Sequence, residues 1–315
     1  MRNVKGFDLF RKSLGISEQT SLGGIITLIA FTAMGFLFSS ELFYYLENTI
    51  NKETMIDQDR GAKLLPININ ITLYRAPCLT VSLDQLDSLG NHVVDVGGAL
   101  TKTRLDKNGN RIYEKLPELS QSAAIKMTDD EEGCELSGNF SVTKTPGNFH
   151  ISFHAAHEIM IRLPYLNLRK HKLSHRINHL SFGKEQKNHY IYSIFGNGEQ
   201  TNFAPYDGLV KKDVEGSVIK YEYNMKVIPV QYYDEASGEE LNSYQYSMVG
   251  SSEPLNNGFG IIYFRYDVDS VTMRYTRVTK SLTSLLVSMS AILGGIFAVL
   301  GIIHSAMQEA LRKTN

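Results

Sequence analysis

The sequence has no excess of charge of either sign, since 32 Lys and Arg against 33 Asp and Glu give a formal net charge of -1 over 315 residues. Nucleic-acid-binding surfaces are strongly basic, so nucleic acid is excluded as an expected partner.

Cysteine is scarce: Cys78 and Cys134 are the two present, and no C-x-x-C pair occurs. A thioredoxin-like redox role is therefore not expected. Because G-x-S-x-G, Walker A and Rossmann glycine patterns are also absent, we predict no catalytic residues and no cofactor.

Long apolar runs are confined to two places, one near each end of the chain. The first is Leu22 to Ser40, and the second is centred on Leu285 to Ile303; both lie in windows without Lys, Arg, Asp or Glu. About 20 apolar residues in a helix cross a bilayer core of about 30 Å. Buried core helices are the alternative, but uncharged windows of this length are rare in soluble cores. We predict transmembrane helices at residues 22–43 and 281–306.

The charges around the first span predict the orientation. The twenty residues after the span carry Lys52 and Arg60, whereas the leader before it carries Arg2, Lys5, Arg11 and Lys12. Positive charges favour the cytosolic side. Phe38 stands where a small residue would precede a cleavage site, which favours an uncleaved anchor. We expect cytosolic tails at residues 1–21 and 307–315, and a non-cytosolic domain at residues 44–280.

The central domain has the composition of an exported β domain. Its sequons place candidate glycans on Asn70 and Asn139, and Asn70 lies on the polar side of an alternating strand pattern. Two cysteines in an oxidising compartment suggest a disulfide between Cys78 and Cys134, with two free buried thiols as the alternative.

Short runs with period-two alternation dominate the middle of the chain, which predicts a β-sandwich. Turn-forming residues separate the runs and predict hairpin tips at Asp106–Asn110, Gly196–Gly198 and Glu235–Gly238. The predicted strands are Ile67–Leu73, Phe149–Phe153, Tyr221–Pro229, Tyr244–Val249, Ile261–Val268 and Val271–Val278. The predicted fold class is thus a membrane protein with two transmembrane helices and an all-β, sandwich-like domain.

Histidines are concentrated between His150 and His189. In that segment His171, His175 and His179 are spaced to share one face of a helix, which would suit a metal or a pH-sensitive patch. Histidines without a special role are the alternative. His157-Glu158 begins a zincin-like pattern, but Ile161 replaces the second histidine, so we assign no metal ligands.

Several blocks in order along the chain resemble the ER–Golgi intermediate compartment (ERGIC) protein family. They are Phe7-Asp8-Leu9-Phe10-Arg11-Lys12, Ala76-Pro77-Cys78, Leu83-Asp84, Gly133-Cys134-Glu135-Leu136-Ser137-Gly138, Pro146-Gly147-Asn148-Phe149-His150, Ser174 to Gly183, Lys226-Val227-Ile228-Pro229, Ser243-Tyr244-Gln245-Tyr246, Phe264-Arg265-Tyr266-Asp267 and Ala291 to Phe297. The chain is similar to the smaller members, since it lacks their larger relatives' cysteine-rich insertion. Residues from about Leu100 to Glu132 match no block of the family.

The resemblance implies a membrane cargo receptor or adaptor that cycles between the ER and the Golgi. The implied partners are a larger family member, soluble secretory or ER-resident cargo, vesicle coat proteins that bind the cytosolic tails, and membrane lipid. The implied location is the membrane of the ER, the intermediate compartment and the Golgi. Two alternatives stay open: a membrane-anchored lumenal metal-dependent enzyme using the His150–His189 cluster, and a purely structural subunit of a receptor complex.

Two further sites are expected near the carboxyl end of the chain. In the second span, Ser290, Gly294 and Ala298 with Ala291 and Gly295 form a stripe of small residues where another helix can approach. Arg312 and Lys313 stand fourth and third from the carboxyl end, as in a signal read by the retrograde (COPI) coat, although that signal usually has two lysines. Positive-inside anchoring is the alternative for this pair.

The histidines give the central domain a predicted sensitivity to pH. Eight of the nine lie between Leu42 and Lys280. With ordinary pKa values these eight would gain about five positive charges between about pH 7.2 and about pH 6. We expect partner or cargo binding to respond to lumenal pH, with His171, His175 and His179 as the candidate sensors.

Overall fold

The computed structural model describes residues 21–47, 49–56, 64–94, 96, 100–118, 120–154, 172–213, 217–256 and 259–314. The chain divides into two compact units. One combines both ends of the chain, and the other is Asn51–Thr276.

Four α-helices are labelled in chain order: α1 Ser21–Leu46, α2 Gln121–Asp129, α3 Glu185–Phe195 and α4 Leu282–Thr314. The strands are β1 Thr49–Ile56, β2 Leu64–Arg75, β3 Ser82–Asp87, β4 His92–Val93, β5 Leu100–Leu105, β6 Arg111–Ile112, β7 Gly133–Thr143, β8 Gly147–Ser152, β9 Lys172–Phe182, β10 Val210–Lys211, β11 Val218–Asp234, β12 Glu239–Leu255, β13 Ile261–Val268 and β14 Val271–Val278.

The two terminal helices contain segments long and apolar enough to cross a bilayer, Gly23–Leu46 and Leu282–Met307. They pack against each other through an α1 face that buries Ile26, Ala30 and Met34. Hydroxyl groups on both helices donate to the carbonyl four residues earlier, as Thr27 does to Gly23 at 2.9 Å. Such bonds satisfy polar side chains within a helix, which suits a lipid environment.

The middle unit is built from two sheets. One has the strand order β1-β14-β11-β13-β8-β3-β4, with β12 also paired to β11, and the other has the order β10-β9-β2-β7-β5-β6. Alternation along the strands gives each sheet one apolar side, and these sides supply a shared core. In that core the rings of Phe149, Phe264 and Tyr223 stack in series, with centroid separations of 4.8 Å and 5.1 Å. The predicted fold class, two apolar spans and a β-sandwich-like domain, is confirmed.

Two of the three predicted turns lie where the sequence placed them. Asp106–Asn110 connects β5 to β6, and Glu235–Gly238 connects β11 to β12 with Gly238 at a φ of 70°. The prediction for Gly196–Gly198 was wrong, because Gly196 ends α3 with a φ of 73° and its N–H donates to the Tyr192 carbonyl. A left-handed glycine after a helix and one in a hairpin give the same sequence signal.

Candidate functional site

The histidine-rich segment forms a strand, not the helix that the four-residue spacing suggested. His175 and His179 lie in β9, which pairs with β2. The register shifts by one residue near Asn178, because Asn70 faces His179 whereas Ile71 faces Ile177. A bulge of this kind reverses which side of the sheet the following residues face. The prediction of one shared histidine face was therefore wrong for His175 and His179, and His171 lies outside the described residues.

His175 points into the core, where it is completely buried. Its Nδ1 lies 2.7 Å from the Leu173 carbonyl, and its Nε2 lies 2.6 Å from the Tyr223 hydroxyl. These contacts match a neutral ring that donates to Leu173 and accepts from Tyr223. Burial lowers the pKa of His175 to about 4, so the ring stays neutral at lumenal pH. His175 is therefore corrected from a pH sensor to a core residue.

His179 faces the outer side of the sheet in a hydrogen-bonded chain. Its Nδ1 lies 2.8 Å from Asp207 Oδ2, and its Nε2 lies 2.9 Å from the Ser181 hydroxyl. The order resembles a hydrolytic triad, but Ser181 is 1% exposed and its oxygen also accepts from Asn68 at 3.0 Å. A serine so enclosed is poorly placed to attack a substrate. We therefore interpret the hydrogen bonds that link Asp207, His179 and Ser181 as stabilising the fold.

A different group of histidines converges on Asp84. The ligand atoms of Asp84, His92, His150 and His154 all lie within 4.8 Å of one another, although the residues come from three strands and the segment after β8. The three imidazole centroids are 5.7 Å apart in every pair. Sequence reasoning missed Asp84 and His92, since both lie more than fifty residues before the histidine-rich segment. Pairing of β3 with β8 places Asp84 opposite His150 and so brings distant parts of the sequence together. The spacing of these residues along the chain does not reveal this contact.

Burial of Asp84 and His150 determines the charge that the residues of this group carry. The Asp84 carboxylate is fully buried, with Oδ2 2.5 Å from His154 Nδ1 and 3.6 Å from His150 Nε2. The pKa of His150 is lowered to about 4, mainly by burial, with Asp84 opposing and the neighbouring histidines adding to the effect. His150 is thus a neutral ring with one nitrogen lone pair, the form that binds metals.

A cleft of about 770 Å³ opens on another part of the sandwich. Its charged lining consists of Lys144, Lys184, Lys187 and Glu240, and exposed apolar side chains of Ile56 and Leu64 border it. The surface thus combines a basic excess with apolar contacts. Ser243, which lines the cleft, donates its hydroxyl to the side chain of buried Asn188 in α3, and Asn188 donates to the Phe182 carbonyl.

The predicted modification sites differ in their surroundings. Cys78 and Cys134 are joined in a disulfide inside the core. Asn139 is exposed on β7. Asn70 is half-buried, and its Nδ2, the atom that would carry a glycan, donates to Glu135 at 3.0 Å while its Oδ1 accepts from Asn178 at 2.8 Å. The structure therefore argues against a glycan at Asn70.

The small-residue stripe of α4 separates into two parts. Ser290, Gly294 and Ala298 are exposed, and a Cβ added to Gly294 would meet no atom within 4 Å. Gly295 is also exposed, with no atom within 4 Å of an added Cβ, but it lines a pocket of about 390 Å³ between α4 and α1, together with Ala33 of α1. The candidate retrieval residues Arg312 and Lys313 lie in the last turn of α4, and their side chains lie outside the described part of the structure.

Comparison with known proteins gives matches over almost the entire chain. The ERGIC family model matches residues 4–94, and the endoplasmic reticulum vesicle transporter model matches residues 117–304. ERGIC protein 1 of Xenopus laevis is 30% identical over 311 residues, covering 96% of this chain and 93% of the relative. The same protein of Danio rerio is 27% identical, covering 97% and 93%.

A solved structure shares the fold. The crystal structure of Erv41p aligns with a TM-score of 0.52 at 19% identity, covering 72% of this chain and 100% of that chain. The resemblance found in the sequence blocks is confirmed by these matches. This chain belongs to the endoplasmic reticulum vesicle transporter family of ER–Golgi intermediate compartment proteins.

Proposed function

We propose that this chain is a membrane cargo receptor or adaptor that cycles between the ER and the Golgi. The observation that carries the proposal is the order of the matches: the two family models together include both apolar helices and nearly all of the sandwich between them. Such a chain has a folded domain on one side of the membrane and short tails on the other. That arrangement suits a protein that links lumenal cargo to cytosolic coats.

The proposed orientation places both tails in the cytosol and the sandwich, residues 44–280, in the lumen. The basic leader before the first span supports it. The disulfide and the exposed sequon at Asn139 also suit a lumenal domain, since both modifications belong to the oxidising secretory pathway.

Within the lumenal domain, the basic cleft is the proposed cargo surface. Lys184 and Lys187 lie exposed at the start of α3, and Lys144 lies 5.3 Å from the centroid of the Tyr244 ring. Three lysines against one glutamate favour an acidic polypeptide segment, and exposed Ile56 and Leu64 add contacts for its apolar side chains.

In the membrane, the proposed partner is a larger member of the same family. The exposed line of Ser290, Gly294 and Ala298 supports a helix contact with another chain, because small side chains let backbones approach closely.

Vesicle budding from ER membranes lacking the chain tests the function. Adding back the chain should restore packaging of a specific set of soluble lumenal proteins, whereas unchanged packaging would contradict a receptor role. Photocrosslinkers at Lys184 and Lys187 should capture those same proteins from the lumen. Capture of the larger relative alone at these positions would favour the purely structural subunit.

Charge reversal gives the matched comparison for the cleft. Lys184→Glu with Lys187→Glu should reduce packaging and crosslinking, whereas Lys107→Glu on the exposed β5–β6 turn should leave both unchanged. Acidic residues at a helix start are favourable, so the double substitution should not unfold α3.

A further inference from the structure

Asp84, His92, His150 and His154 occupy the outer side of the first sheet, close to its β4 edge. Asp84 and His150 are cross-strand partners, whereas the neighbouring Leu83 and Ile151 are completely buried in the core. Alternation along β3 and β8 thus separates a polar cluster from the core. His92 comes from β4, which pairs with β3, and His154 follows the end of β8.

The spacing of these side chains suits a small cation. Ligands on a tetrahedral zinc lie roughly 3.3 Å apart, since its bonds to nitrogen and oxygen are about 2.0–2.2 Å. The carboxylate oxygen of Asp84 is already 3.6 Å from His150 Nε2. Asp84 Oδ2 lies closer to His154 Nδ1, at 2.5 Å, and all the ligand atoms lie within 4.8 Å of one another. His92 and His154 are the exposed members of the cluster, so their rings are the ones that would move when a cation binds.

Neighbouring groups hold the two buried members in position. Asp84 Oδ2 accepts from the Ser152 hydroxyl at 2.7 Å and from the Ser82 hydroxyl at 3.2 Å. His150 Nδ1 lies 3.1 Å from Asn148 Oδ1, so the ring donates there and presents Nε2 to the cluster. Metal-binding histidines are characteristically fixed in this way through the nitrogen that does not bind the metal.

We propose that Asp84, His92, His150 and His154 bind one zinc ion. Imidazole nitrogens and a carboxylate are typical zinc ligands, and four protein ligands complete a tetrahedral site. A complete set leaves no position for a reacting water. The zinc is therefore structural: it ties β4 and the segment after β8 to the β3–β8 pair, and it does not provide the metal-dependent enzyme considered above.

Metal analysis of the full chain in detergent tests the proposal. The protein is stripped with a chelator, reloaded with zinc chloride, freed of excess metal and analysed by mass spectrometry. We expect about one zinc per chain, and a higher unfolding temperature with zinc than without it. Cobalt in place of zinc should give the intense visible absorption of a four-coordinate site.

The variants use the exposed ligands, because changes at Asp84 or His150 risk disturbing the fold. His92→Gln alone should weaken zinc binding by more than about tenfold, and His92→Gln with His154→Gln by more than about 100-fold. His189→Gln is the matched control, since His189 is exposed and lies outside the cluster.

Two results would overturn the site. One is a wild-type chain that holds no zinc after reloading, and the other is full zinc binding by the double variant. Near-ultraviolet circular dichroism of the buried tyrosines shows whether each variant is folded. If the double variant were misfolded, undiminished binding in the folded His92→Gln chain would overturn the four-ligand assignment.

Discussion

At the scale of single residues, burial decides which histidines respond to pH. His175 has a pKa of about 4 in the folded chain and about 6.5 when unfolded. The unfolded state therefore binds more protons between these values, so the stabilising effect of the neutral ring is complete above about pH 6.5 and is lost as the pH falls toward 4. The groups facing His175 are Tyr221, Tyr223, Asp213 and Lys211.

The corresponding prediction concerns stability, not binding. In His175→Gln, the amide can accept from Tyr223 and donate to Leu173, but it does not titrate. Between pH 6.5 and 4 the free energy of unfolding should fall less steeply than in wild type, by up to about 1.4 kcal/mol per pH unit. Denaturant unfolding of the full chain in detergent, followed by tyrosine circular dichroism, measures the slope.

The control for this experiment is His189→Gln, which changes an exposed ring. It should retain the wild-type slope, because His175 is unchanged in this variant. An identical slope in His175→Gln and wild type would contradict the neutral assignment of His175.

Exposure also distinguishes the two sequons. Asn139→Gln should remove one glycan and increase mobility on a denaturing gel, because the Asn139 side chain is exposed on β7. Asn70→Gln should leave mobility unchanged, since the Asn70 amide already bonds Glu135 and Asn178. Glycosidase treatment before electrophoresis provides the control. A mobility change in Asn70→Gln that this treatment abolishes would show that Asn70 is modified.

At the scale of elements, local alternation was a reliable guide and helical spacing was not. Ile261–Val268 and Val271–Val278 were predicted with the bounds that the structure has, because alternating apolar residues match the two sides of a strand. His175 and His179, four residues apart, gave a helical signal, but Ile177 between them and the apolar Leu173 and Leu180 on either side complete a strand. The bulge near Asn178 places the two histidines on opposite sides of the sheet. This bulge depends on the pairing of β9 with β2.

The candidate zinc ligands mark a further limit of sequence reasoning. His150 and His154 were visible as part of a histidine-rich segment. Their grouping with Asp84 and His92 depends on β3 lying between β4 and β8. Strand order of that kind arises from packing across the whole sandwich, and residue spacing along the chain does not encode it directly.

The helix stripe yields a prediction about assembly. Gly294→Leu should reduce co-purification with the larger relative several-fold, because the new side chain would separate two helix backbones. It should leave this chain's own helix pair intact, since the added Cβ has no neighbour within 4 Å. Quantitative co-purification from detergent extracts measures the effect.

Two glycine variants serve as comparisons. Gly35→Leu changes an exposed glycine of α1 with similarly open surroundings and should not affect co-purification. Gly295→Leu should have the smaller effect of the two changes in α4, because Gly295 lines the pocket beside α1. Equal co-purification of Gly294→Leu and wild type would contradict the stripe as the interface.

At the scale of the whole molecule, the proposed function requires a lumenal domain and two cytosolic tails to act in one transport cycle. Cargo binding in the lumen is useful only if the chain returns to the ER after delivery. The proposed orientation places Arg312 and Lys313 in the cytosol, within reach of a coat. Four basic residues in the amino-terminal leader already support that orientation, so the carboxyl-terminal pair is available for sorting.

Substitution of Arg312 and Lys313 distinguishes a sorting signal from a pair of residues that only anchors the second span. Arg312→Ala with Lys313→Ala should move the steady-state distribution from the ER and intermediate compartment toward the Golgi or cell surface, as seen by fluorescence microscopy and cell-surface labelling. Arg2→Ala with Lys5→Ala is the control, because it removes the same charge from the other tail without changing the carboxyl-terminal spacing. If the pair only anchors the second span, its removal should instead alter protease protection of the tail, with no change in distribution among correctly inserted chains. An unchanged distribution would therefore remove Arg312 and Lys313 from the sorting mechanism, and retrieval would then depend on the tails of the partner chain.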